Sequence, residues 1–267
     1  MPFVIKIRVL FIVLIYVVLL STSIYLIVYV SPLFTLLSIL IILVGLYVLF
    51  VFYPKFDPTG STYYKLTKGD RRIVLTFDDG PDPIITPQIL DILKFYDVKA
   101  AFFCLGFKAE KYPEIINRIR EEGHILANHG YSHTKLHNKS AEFVKVEIER
   151  SEQALKPLSL VNGKKLFRAP HGFKNFALLE LLKKNNYVLV GWSRGIWDSD
   201  NSDASVLLER ALDYLNDGVI YLLHDGRDVE GRGVNTVLFL RLFIPEIIKR
   251  GFHITNINEV FTKHRGP

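Results

Sequence analysis

From Val9 to Pro54 the chain carries no charged residue. No other feature restricts the fold as strongly, because such a run cannot form the surface of a water-soluble domain. It divides the 267 residues into an apolar N-terminal part and a remainder with an ordinary charged surface. Residues 9–30 and 33–53 are each long enough for a membrane-spanning helix, which takes about 20 apolar residues. Ser31-Pro32 separates them, and proline disfavours helix at the residue before it. The expectation is a two-pass transmembrane hairpin over residues 1–54, with both ends on one side. A cleaved signal peptide is the alternative for the first stretch: Lys6 and Arg8 form a basic n-region, and Ser21-Thr22-Ser23 offers small residues. Lys6 and Arg8 precede the run, Lys55, Lys65 and Lys68 follow it, and the turn has no positive residue. That distribution favours the cytoplasmic side for the rest of the chain.

The formal net charge is +6. A mild basic bias suits anionic lipid headgroups or an anionic polymer. No concentrated Lys/Arg stripe is present, which excludes a nucleic-acid groove. Cys104 is the only cysteine, so an intramolecular disulfide is impossible. Its apolar surroundings, Ala100–Leu105, mark it as a core thiol.

Residues 55–71 are polar and read as a linker or surface strand. From residue 72 the pattern alternates. Short β-branched or aromatic runs fall at Ile73–Phe77, Ala100–Leu105, Ile125–Asn128, Leu166–Arg168, Tyr187–Trp192, Val219–His224 and Phe252–Ile257. Stretches of helical period lie between them, at Pro87–Tyr96, Tyr112–Glu122, Ala141–Leu155, Asn175–Asn185, Ala204–Leu215 and Val237–Arg250. Such alternation predicts an α/β domain over 72–267 with a parallel sheet and outer helices. A distorted (β/α)7 barrel accommodates it, and an open doubly wound sheet gives the same local pattern.

Polar clusters sit at the C-terminal ends of these runs: Asp78-Asp79-Gly80-Pro81, His129-Gly130-Tyr131-Ser132-His133, Arg168-Ala169-Pro170-His171-Gly172, Trp197-Asp198 and His224-Asp225. In a barrel those ends share one face, the face that carries active sites. His129 and His133 are four residues apart, so one turn of helix brings both imidazoles to one ion. A neighbouring Asp completes a facial His-His-carboxylate set with open positions. The turn at Gly80-Pro81 allows adjacent aspartates to divide the work, one binding metal and the other taking a proton from bound water. His224 closes an apolar strand and suits a general acid. Arg168 is placed to hold Asp78, and Asp198 to pair with Arg168. His124 is expected to support the turn before residue 125. A glycosidase built on Asp78 or Asp79 with another carboxylate leaves the histidine pair without a role.

Taken together these residues resemble the carbohydrate esterase family 4 polysaccharide deacetylases, over roughly 72–260. Thr76-Phe77-Asp78-Asp79-Gly80-Pro81 is similar to that family's first motif, which implies Asp78 as catalytic base and Asp79 as metal ligand. His129-Gly130-Tyr131-Ser132-His133 matches the second and implies the two histidine ligands. Gly130 stands where the family usually has Ser or Thr, a residue that buttresses the loop. Phe167-Arg168-Ala169-Pro170-His171-Gly172 resembles the third motif. It implies that Arg168 orients the base and that the backbone N–H of His171 contributes to an oxyanion hole. Leu222-Leu223-His224 resembles the fifth, with His224 the acid and Leu222 part of the acetyl pocket. In the fourth motif the family has Asp followed by Trp, whereas this chain reads Trp197-Asp198, with Trp192 nearby. Tyr131 and Trp192 join His171 and Leu222 as expected substrate contacts.

The resemblance implies a distorted (β/α)7 barrel and one divalent metal ion, usually Zn2+, with Co2+ or Ni2+ also accepted. It implies hydrolysis of N-acetyl groups on an amino-sugar polymer or a lipid-linked saccharide at a membrane lipid surface. O-acetyl ester hydrolysis and a non-catalytic carbohydrate-binding barrel are the competing expectations. Substrates of that kind lie mostly outside the membrane, which opposes the side favoured by the flanking charges.

Overall fold

The computed structural model describes residues 13–25 and 32–258, except 54, 58, 61, 66–69, 201 and 227–232. They divide into two compact units, Met1–Phe56 and Asp57–Pro267. The first holds helices α1 (Val13–Tyr25) and α2 (Pro32–Phe52). Among the described residues α2 alone is long and apolar enough to cross a membrane, a test that a signal sequence also passes. The expected two-pass hairpin is therefore not upheld. The described part of α1, Val13–Tyr25, is a shorter apolar helix. Ser21, Thr22 and Ser23 direct their hydroxyls to carbonyls one turn back. The ends of the first expected span, and Lys6, Arg8 and Lys68, lie outside the described residues.

The second unit runs β1 (Thr62–Tyr63), β2 (Arg72–Asp78), α3 (Ile85–Phe95), β3 (Ala101–Cys104), α4 (Gly106–Lys111), α5 (Pro113–Glu121), β4 (Ile125–Asn128), α6 (Ala141–Leu155), β5 (Leu160–Val161), β6 (Lys164–Phe167), α7 (Phe176–Lys184), β7 (Tyr187–Val190), β8 (Arg194–Gly195), α8 (Ala204–Leu212), β9 (Val219–His224), α9 (Val234–Lys249) and β10 (His253–Ile254). The strand order is β1-β7-β6-β4-β3-β2-β9-β8, with β10 beside the start of β2 and β5 beside β6. Every pairing is parallel except β5 with β6.

Side-chain alternation decides between the barrel and the doubly wound sheet. Ile73, Leu75, Phe77, Phe102, Tyr221 and Leu223 pack outward on residues of α3, α5, α8 and α9. Phe167, Tyr187 and Leu189 pack on α6 and α7. The opposite parity, Val74, Ala101, Phe103, Ile125, Ala127, Leu166, Val190 and Ile220, forms a separate cluster with Val161 of β5 and with Ile257 beyond β10, and none of α3–α9 contributes to it. A doubly wound sheet would carry helices on that face too. Here it packs upon itself, as the lumen of an open α/β barrel does. The parallel direction brings the C-terminal ends of β2, β4, β6, β7 and β9 to one rim.

Candidate active site

Asp78 closes β2 with the same parity as Val74 and Thr76, so its carboxylate enters the lumen. Asp79 then takes a left-handed backbone (φ 71°), which breaks the strand alternation and turns a second carboxylate to the same centre. His129 follows β4 directly. Its Nε2 lies 3.3 Å from Asp79 Oδ1 and 3.8 Å from Asp78 Oδ2. His133, at φ 60°, brings its Nε2 to 3.1 Å from the same Asp79 oxygen.

Three observations fit this trio to a cation. The donor atoms of Asp79, His129 and His133 all lie within 4.8 Å of one another. Asp79 Oδ1 is buried and has no hydrogen-bond partner among the described residues. The carbonyl of Arg168, 2.9 Å from His129 Nδ1, accepts the proton there and leaves the Nε2 lone pair directed at Asp79.

Electrostatics favour a cation at Asp79 and His133, whereas at His129 a cation would have to displace a proton. Burial alone would raise the Asp79 pKa, but the His129 ring beside it and the His133 and His224 charges outweigh this and hold it well below the carboxylate range. Burial brings His133 down to about 4, so it offers a neutral imidazole. Burial opposes protonation of His129, but the charge of Asp78 and the contact with Asp79 raise its pKa.

On one side of the trio Arg168, 1% exposed, donates through Nη1 to Asp78 Oδ1 at 2.7 Å and to Thr76 Oγ1 at 2.7 Å. Its Nε and Nη2 donate to the carbonyls of Val190 and Gly191, and its guanidinium lies 4.1 Å over the Phe103 ring. With four hydrogen bonds fixing its planar fork in this way it orients Asp78 rigidly.

On the other side stands His224, and here one expectation is corrected. Asp198 does not pair with Arg168. Its Oδ1 accepts from His224 Nδ1 at 2.8 Å, and its Oδ2 accepts from the His224 backbone N–H at 2.8 Å and from Thr236 at 2.9 Å. The reason is topological: Asp198 opens the turn Asp198–Asp200 that follows β8, and β8 pairs with β9, the strand that ends at His224. Burial alone would depress the His224 pKa, but Asp198, with smaller help from Asp79 and Asp78, lifts it to about 9.

The expected substrate contacts divide. Leu222 shares the parity of Ile220 and faces the lumen, half-buried, beside Gly195. Trp192 packs on the lumen cluster with its ring 5.8 Å from the Arg168 guanidinium. His171, at φ 60°, stacks 4.4 Å from the His133 ring. Tyr131 is different. Its hydroxyl donates to Glu110, Arg150 covers its ring at 3.7 Å, and its edge fits against Gly106. It clamps the His129–His133 loop to α4 and α6. Beside the trio opens a cleft of about 340 Å3 whose walls include Asp79, His133, Ser132, Phe107, Lys108 and Tyr112.

Sequence reasoning missed Glu147. Only 7% exposed on α6, it accepts from the backbone N–H groups of Tyr131 and Ser132 and from the Ser132 hydroxyl. Asn128 Oδ1 accepts from Gly130 N–H, whose φ of 81° favours glycine. The buttress expected of residue 130 is thus supplied by Glu147 and Asn128. The available signal was an acid at 147 among the buried positions 144, 148, 151 and 155 of one helix face. His124 meets its expectation: it is buried and accepts the Ala100 N–H.

Comparison with known proteins agrees with this geometry. The polysaccharide deacetylase family profile matches residues 65–190. The chain is 31% identical to a peptidoglycan-N-acetylglucosamine deacetylase of Bacillus cereus, over 77% of this chain and 95% of that protein. It is 32% identical to a chitooligosaccharide deacetylase of Azorhizobium caulinodans, over 70% of this chain and 93% of that one. A crystal structure of a peptidoglycan N-acetylglucosamine deacetylase superposes with a TM-score of 0.72 at 29% identity, covering 79% of this chain and all of the other. Fold, rim and relatives together establish that the chain belongs to the carbohydrate esterase family 4 polysaccharide deacetylases.

Proposed function

We propose that this protein is a metal-dependent hydrolase that removes N-acetyl groups from amino sugars of a cell-wall or related polymer. The observation that carries this reading is the Asp79, His129 and His133 trio, flanked by Arg168-oriented Asp78 on one side and Asp198-bound His224 on the other. A divalent cation held by Asp79, His129 and His133, with zinc the first choice for such ligands, would supply Lewis acidity toward the acetamide carbonyl and acidify water to a pKa of about 7.

The remaining chemistry belongs to the side chains. Asp78, fixed by Arg168, takes the proton of the attacking water. The His171 backbone N–H supports the oxyanion as a neutral donor. Leu222 and Trp192 enclose the acetyl methyl. His224, protonated and held by Asp198, delivers its proton to the nitrogen, and acetate and the free amine leave.

The apolar helix α2 and the short segment between Phe52 and Thr62 favour a substrate at a membrane surface, either wall polymer on the extracytoplasmic side or a lipid-linked saccharide. The test is acetate release from N-acetylglucosamine oligomers by the full-length protein in detergent, before chelation, after it, and after zinc return. Release lost on chelation and restored by zinc is expected. Oligomer binding without release from zinc-loaded protein would instead identify a carbohydrate-binding barrel. Release from O-acetylated sugars alone would identify an esterase.

A further inference from the structure

The strand that leads into the barrel lies one backbone bond from the arginine that orients Asp78. β1 pairs in parallel with β7, Thr62 against Leu189 and Tyr63 against Val190. Just past β7 the Gly191 N–H donates to the Tyr63 carbonyl at 2.7 Å. The Gly191 carbonyl in turn accepts from Arg168 Nη2 at 2.9 Å, and Arg168 Nη1 reaches Asp78 at 2.7 Å. Tyr63, Gly191, Arg168 and Asp78 therefore form an unbroken run of short hydrogen bonds from the segment after α2 to the base.

Packing makes the run tight. A Cβ on Gly191 would meet Thr62 Cγ2 at 3.3 Å and Tyr64 Cβ at 3.4 Å. β1 thus sits about as close as the missing side chain at 191 permits. The same segment has a second anchorage: the Asp57 carboxylate is attracted by the charge of buried Lys174, which follows the Pro170–Gly172 turn carrying His171.

We propose that β1 is a positioning element of the catalytic site. It sets the Gly191 carbonyl, through it the Arg168 guanidinium, and so the aim of Asp78. Thr62 and Tyr63 act through Gly191 and touch no substrate. The inference rests on the deacetylase reading, and its test separates the two.

Gly191→Ala wedges β1 away by a few tenths of an ångström. Thr62→Ser removes the methyl that the new Cβ would strike and keeps a hydroxyl at position 62. In the full-length protein, Gly191→Ala is expected to lower kcat about tenfold, with KM, bound zinc and Tm unchanged. Adding Thr62→Ser should bring kcat back to within about twofold of the unmodified protein, the non-additivity expected of contacting residues. The 15N resonance of Arg168 Nε–H, in arginine-labelled protein, should move in the single variant and return in the double. An unchanged kcat in Gly191→Ala, loss of zinc, or a double variant no better than the single would overturn the proposal. If the unmodified protein releases no acetate, the functional reading fails. The arginine resonance then decides alone: movement and return support β1 as the positioning element, and a fixed resonance overturns it.

Discussion

Asp198 holds His224 at two points, one carboxylate oxygen on the ring Nδ1 and the other on the backbone N–H, each at 2.8 Å. The double contact fixes both the tautomer and the direction of the imidazole, with Nε2 turned away from Asp198. It also raises the histidine from an ordinary 6.5 to about 9. The sign follows. A raised histidine pKa favours the charged form in the folded state, so the imidazolium is present through neutral pH and is lost as pH climbs through 9.

Asp198→Asn should therefore shift the alkaline limb of kcat/KM downward by about one to three units, the range for losing an opposite charge at contact distance. A cation at Asp79 lowers the His224 value in both proteins, so the comparison belongs at equal metal loading. A limb that stays in place would show that His224 is not the acid.

Asp78 and Asp79 are adjacent yet separable. Asp78→Asn should keep the metal and lower acetate release by about 10²- to 10⁴-fold, the worth of a positioned base. His129→Ala should lose metal and activity together. Paired metal analysis and rate measurements distinguish the two. Arg168→Met would leave Asp78 buried without its charge partner, and the cost to stability is expected near 3–5 kcal/mol by denaturant titration.

Glu147 touches no substrate, but three donors of the histidine loop converge on it. Glu147→Ala should weaken zinc affinity about 10- to 100-fold, as loss of a supporting contact behind metal ligands does. Activity should return at high zinc, which separates loosened ligands from lost chemistry. Competition against a chelator of known affinity measures it.

These partners differ in how far the sequence discloses them. Asp78, His129, Arg168 and His224 stand at the ends of apolar runs, and parallel strands deliver such ends to one rim, so their proximity is legible from periodicity. Side-chain parity also places Thr76 beside Asp78 in the lumen. The partner of Asp198 is not legible, because Trp197 takes a left-handed backbone (φ 60°) and the following turn has no repeat from which direction can be read. β1, β5 and β8 have two residues each, too few to show an alternation. Position 106 at the start of α4 excludes a side chain because Ser151 and Tyr131 crowd it, a tertiary cause without local signature.

Asp225 supplies a prediction about stability. It is fully buried beneath the Asp78-Asp79 turn, takes one hydrogen bond from Thr86 at 2.7 Å, and leaves Oδ1 without a partner. Burial pushes its pKa up to about 7. A raised carboxyl pKa means that the folded protein keeps a proton the unfolded chain releases near 3.8. Stability therefore falls as pH rises from about 4 through 7, and the full penalty stands above 7. Asn has the shape of the protonated acid and never ionises. Asp225→Asn should accordingly gain stability relative to the unmodified, metal-free protein on going from pH 5 to pH 8. The gain is expected to be on the order of 1–4 kcal/mol, given about 1.4 kcal/mol per pKa unit. Denaturant midpoints at the two pH values read it as a difference of differences, which cancels any pH-independent packing change from the amide. A gain equal at both pH values would show that Asp225 stays ionised in the fold, with Lys108, whose charge favours that form, outweighing burial.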